Sequence, residues 1–137
     1  NREADVQYPN AGFFFPFEGT KLREVSIEQG LFSNESTRVF THTRPALQFP
    51  NLTERELIEM KNTFVLYVKL PEAYHEFIKR SETDDAIGHA LRTCLLAIFE
   101  SCVWKNEGWF QDDGRMEINL KELEALMQPG PMLGPDP

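Results

Sequence analysis

The chain has 137 residues, of which 41% are apolar, 12% aromatic and 26% charged. That is enough to build one core without a metal or disulfide staple, and it excludes disorder as the main state. Fourteen basic against 22 acidic residues leave a formal charge of −8, which argues against a protein that grips nucleic-acid phosphates or an anionic membrane surface. The longest apolar run, Cys94 to Phe99, falls far short of the ~20 residues of a membrane span, so no span is expected. The chain opens at Asn1 with neither an initiator Met nor a signal segment after it, and so reads as a fragment of a longer protein.

Residues 11–15, Ala-Gly-Phe-Phe-Phe, form a short apolar run between Tyr8-Pro9-Asn10 and Pro16. This pattern predicts a strand buried on both faces, the kind found in parallel sheets. Pro16 to Thr20 is a turn. Thr20 caps a helix running to Gln29, with Leu22, Val25 and Ile27 facing inward and Gly30 as its left-handed stop. Strand, turn and helix together make half of a beta-alpha unit, whose partner strands are expected outside this chain. Between Leu31 and Pro50 no period persists, apart from a short extended piece at Arg38–Thr41.

Thr53-Glu-Arg-Glu56 is a capping box that opens a helix with Leu57, Met60, Phe64 and Val68 on one face. Pro71 ends it at Leu70 and starts a new helix through about Arg80, with Tyr74, Phe77 and Ile78 apolar. From Asp85 to Lys105 apolar residues recur at steps of three and four, which predicts a long helix with a wide apolar stripe. Gln111-Asp-Asp-Gly114 is a turn and Arg115–Ile118 a possible extended piece. Asn119 to Glu122 caps a last helix carrying Leu123, Leu126 and Met127, and the Pro/Gly-rich residues 129–137 form a tail.

The residues that carry chemistry are sparse. His75 lacks the second histidine of a helical zinc site, and His89 and Cys94 point to different helix faces; His42 falls in irregular chain. Asp112-Asp113-Gly114 fails the register of a calcium loop, because Trp109 and Leu120 would take ligand positions. Cys94 and Cys102 are two turns apart on one helix, too far to pair, and read as small hydrophobes in a reducing, cytoplasmic compartment. The sequons at Asn34 and Asn51 would allow a secreted, glycosylated protein but are loose tripeptides. The turn Glu18-Gly19-Thr20 could hold an anion on free helix amides, and Phe13, Phe14, Phe15 and Phe17 read as core.

The segment Ala11-Gly-Phe-Phe-Phe-Pro16-Phe-Glu-Gly19-Thr20-Lys-Leu22, with Glu28-Gln-Gly30-Leu31 beyond it, resembles the strand–turn–helix late in the catalytic barrel of cobalamin-binding radical S-adenosylmethionine enzymes. Phe49-Pro50-Asn-Leu52-Thr-Glu-Arg-Glu-Leu57 and Phe64-Val-Leu-Tyr67-Val-Lys-Leu-Pro71 resemble the helical extension that follows the barrel. The likeness covers residues 1–80; the last third of the chain matches nothing. Glu18 stands where the family has a second Pro in a Pro-aromatic-Pro-Gly-Thr turn.

The resemblance implies a mostly α (α+β) fold with one to three short strands, the first a late strand of a truncated radical S-adenosylmethionine partial barrel. It divides the chain into the end of the barrel at 1–32, a helical C-terminal extension at 33–128 and the tail at 129–137. It places Phe15, Pro16, Gly19 and Thr20 at the carboxyl end of that strand, near S-adenosylmethionine and substrate. The family's [4Fe–4S] cluster needs a Cys-x3-Cys-x2-Cys motif that two cysteines cannot supply. Cluster, cobalamin domain and radical chemistry, an oxidoreductase or methyl-transfer reaction or a ring closure, would therefore belong to upstream residues, with this fragment inactive alone and the remainder of its own chain as its partner. The rival reading is an independent acidic helical module that binds another protein through helix 85–105; oligomeric state is open.

Overall fold

The computed structural model describes residues 1–32, 44–128 and 130, and every regular element among them is helical. Five α-helices follow in order: α1 (Lys21–Glu28), α2 (Glu54–Lys69), α3 (His75–Ser81), α4 (Ala86–Cys102) and α5 (Met116–Met127). Single 3-10 turns lead into α3 at Glu72–Tyr74 and follow α4 at Trp104–Asn106. The mostly helical class stands.

Each start has a local cause. The Thr20 hydroxyl accepts the amide of Arg23 at the head of α1. Thr53 and Glu56 exchange bonds at the head of α2, with the Thr53 amide donating to Glu56 Oε2 at 2.7 Å and the Glu56 amide to Thr53 Oγ1 at 3.2 Å. This is the expected capping box. Asp85 accepts the amide of Gly88 at 2.7 Å and so caps α4. At the end of α1, Gly30 at φ +70 donates to Ile27 while Leu31 donates to Ser26, the paired bonds that close a helix on a left-handed residue.

Several expectations are corrected. Residues 11–15 form no strand; among the described residues the only β-type pairing is an isolated antiparallel bridge between Phe49 and Leu52. A strand exists only as one side of a hydrogen-bonded ladder, and the described residues offer 11–15 no other side. Arg115–Ile118 is not extended, because α5 already begins at Met116. There Asp112 and Asp113 accept the amides of Gly114 and Arg115 and turn the chain directly into the helix. On α1, Leu22 and Ile27 are exposed rather than inward, and Ser26 takes the buried position. On α2, Met60 is exposed, and Thr63 and Leu66 carry the buried face, continued by Leu70 just past its end. The extended piece at Arg38–Thr41, His42, the Asn34 sequon and nearly all of the tail lie outside the described residues.

The chain divides into two units, one made of residues 1–9 and 65–137, the other of residues 10–64. The first holds the hydrophobic core. Leu66, Leu70, Tyr74, Phe77 and Ile78 pack there with Leu91, Leu95, Ile98, Cys102 and Val103 of the α4 region and Leu123 of α5. By length and composition Ala86–Asn106 would suffice to cross a membrane. Within it Leu91, Leu95, Ile98, Cys102 and Val103 lie in this core, while Leu96 and Trp104 are exposed. The second unit, residues 10–64, is poor in core. Phe32 is its one buried large hydrophobic among the described residues, whereas Phe14, Phe17, Leu22, Ile27, Phe49, Leu52 and Met60 are exposed.

Candidate functional site

The turn ahead of α1 brings the four expected residues together. Pro16 is fully buried, Phe15 half-buried, and Gly19 sits at φ +77 beside Thr20. The turn closes on itself. Thr20 Oγ1 donates to the Phe17 carbonyl at 2.7 Å and also accepts from the Arg23 amide at 3.3 Å. The hydroxyl is therefore committed to shaping backbone, and its availability to a ligand is correspondingly reduced.

Arg23, which spacing did not single out, organises this turn. Its Nη1 donates to the Pro16 carbonyl at 2.8 Å, and its guanidinium carbon lies 4.8 Å from the centroid of the Phe32 ring. Phe15 stands edge-on to both Phe17, at 5.0 Å between centroids, and Phe32, at 6.3 Å. An arginine three residues after a cap, reaching back past a Pro-aromatic turn, is the signal that would have found it. Lys61 lies 5.6 Å from the Phe13 ring centroid, a second cation on the aromatic run.

In the other unit the end of α2 carries a second cluster. Arg2 Nη1 donates to the carbonyls of Tyr67 at 2.9 Å and Leu70 at 2.6 Å, and lies 3.4 Å from both the Val68 carbonyl and His75 Nε2. His75 Nε2 is also 3.0 Å from the Tyr67 carbonyl, so this histidine is a half-buried structural residue. Burial, with Glu82 nearby, pushes the Tyr67 phenol up to about 12. His89 bonds Asp84 at the surface, at 2.9 Å.

Both cysteines are free thiols, Cys102 buried and Cys94 half-buried. Burial, with Glu122 nearby, pushes the Cys94 thiol above its ordinary range, away from reactivity. No group of three or more His, Cys, Asp or Glu able to hold a metal ion exists among the described residues. Comparison with known protein families, with curated proteins and with solved structures finds no match for this chain.

Proposed function

We propose that this chain is the carboxy-terminal part of a cobalamin-binding radical S-adenosylmethionine enzyme, inactive alone, whose parent carries out methyl transfer or ring-forming radical chemistry. The observation that carries the reading is the state of residues 10–64. Among the described residues they expose seven large apolar side chains and bury one, and their apolar run at 11–15 pairs with no strand there. Apolar surface of that extent is left when a layer is taken away from the sheet it belongs to. A late barrel strand followed by its helix, with the other strands in preceding residues, accounts for both features.

In this reading Phe15, Pro16, Gly19 and Thr20 line the rim of the barrel near S-adenosylmethionine and substrate. Thr20 and Arg23 hold the turn, and the Phe15 ring supplies apolar wall. The residues of this chain do not fit the [4Fe–4S] cluster, since two cysteines on one helix cannot make its three-thiolate motif. Cluster and cobalamin are assigned to the preceding part of the protein, and the helices from Glu54 onward to an accessory layer.

The test is anaerobic purification of the full-length gene product with its ultraviolet–visible spectrum and iron, sulfide and cobalamin assays. Cluster absorbance, about four irons per chain and bound cobalamin are the expected result. A colourless, iron-free protein would overturn the reading and leave a helical protein-binding module.

A further inference from the structure

Lys69 is an unusual cation. As the last residue of α2 it stands where a basic side chain ordinarily bonds the helix's final carbonyls. Here Arg2 takes those carbonyls instead. Lys69 is only 9% exposed, and its ammonium lies 4.4 Å from the centroid of the Trp109 indole. Among the described residues it makes no ion pair or side-chain hydrogen bond, and the aromatic face is the partner its ammonium has within the protein.

Lys69 and Trp109 line a cavity of about 200 Å³, together with Arg2, Asp5, Val68 and Phe110. Asp5 is the only acid among the lining residues. It is exposed, makes no ion pair with Lys69, and is held in a left-handed turn at φ 51. A lysine whose stem is buried, whose residue lines an open volume and whose ammonium has no counter-charge is an arrangement an incoming anion completes.

We infer that this cavity binds a small oxyanion, a carboxylate or phosphate of a few heavy atoms, with Lys69 as its charge partner and Trp109 as its apolar wall. Asp5 opposes the ligand electrostatically and sets an upper bound on its affinity. The inference stands apart from the proposed parent enzyme, because every residue it uses belongs to residues 1–9 and 65–137.

The test is titration of the 137-residue chain with sodium acetate and, separately, sodium phosphate at constant ionic strength. Binding is followed by indole fluorescence and by the amide and indole resonances of Trp109. Saturable binding of either ion is expected, weakened on the order of tenfold or more in Lys69→Met and retained in Lys69→Arg. The two salts separate a carboxylate site from a phosphate site. Asp5→Asn, an exposed change that leaves the core alone, should tighten binding severalfold, which keeps the test decisive if Lys69→Met fails to fold. No saturation with either salt, equal affinity in wild type and Lys69→Met, or an Asp5→Asn variant with unchanged affinity would each overturn the inference.

Discussion

Gly88 and Thr83 leave no room for a side chain between them at the head of α4: a Cβ placed on Gly88 would collide with the Thr83 carbonyl oxygen. No rotamer relieves such a contact, since both sides are main chain. Gly88→Ala must therefore push the 81–85 turn away from α4 and disturb the Asp85 cap that bonds the Gly88 amide. The expected loss is about 2–3 kcal/mol of unfolding free energy, read from the midpoint of a urea titration with unchanged slope. A variant as stable as wild type would show that the turn moves freely.

Tyr74 is fully buried, and its hydroxyl makes no well-formed hydrogen bond, although the Asn119 side chain lies close enough to act on it. An orphaned buried polar atom costs about 1–3 kcal/mol, and burial raises the phenol's pKa accordingly. Tyr74→Phe removes the cost while keeping the ring. The variant should be at least as stable as wild type, by up to about 1 kcal/mol, in thermal and urea melts. A clear destabilisation would mean that the hydroxyl has a partner in solution.

Asp85 joins two elements at once, pairing with Arg80 through both carboxylate oxygens at 3.1 and 2.9 Å and capping α4. The Arg80 guanidinium and the Gly88 amide hold its carboxyl below the ordinary value of 3.8. A depressed carboxylate stabilises the fold above its unfolded pKa, and that contribution is lost as pH falls through the lower folded value. Asp85→Asn keeps a capping side chain but loses the charge pair with Arg80, and should melt slightly below wild type at neutral pH, by up to about 4 °C. The gap should stay constant down to about pH 4 and then close. A gap that widens in acid would contradict the assignment.

Thr20→Ala removes both bonds of the Thr20 hydroxyl. The expected cost is about 1 kcal/mol, confined to α1. Amide exchange should quicken over Lys21–Glu28 and leave α4 unchanged. Equal quickening in both helices would show that the turn supports the fold globally.

The candidate turn was legible in part. Gly19, Thr20 and the Pro16 turn announce themselves because turn and cap chemistry acts within a few residues. Arg23 was not legible, since its partners Pro16 and Phe32 lie seven and nine residues away in opposite directions and meet only after the chain has turned. Arg2, 65 residues from Tyr67, was beyond any local pattern.

The sequence by itself determined several helix ends, since the Thr53–Glu56 exchange, the Gly30 stop and the Asp112-Asp113-Gly114 turn stand as read, while the last helix begins at Met116 rather than at the expected Asn119 cap. Each rests on bonds spanning five residues or fewer, so the local chain contains the whole cause. Only the tertiary structure decided which face of α2 is buried, that Leu22 and Ile27 of α1 stay exposed, and that Lys69 lies under Trp109. Those outcomes depend on surfaces far along the chain. The same reason governs residues 11–15, whose apolar run encodes a preference for extended chain that becomes a strand only beside another strand.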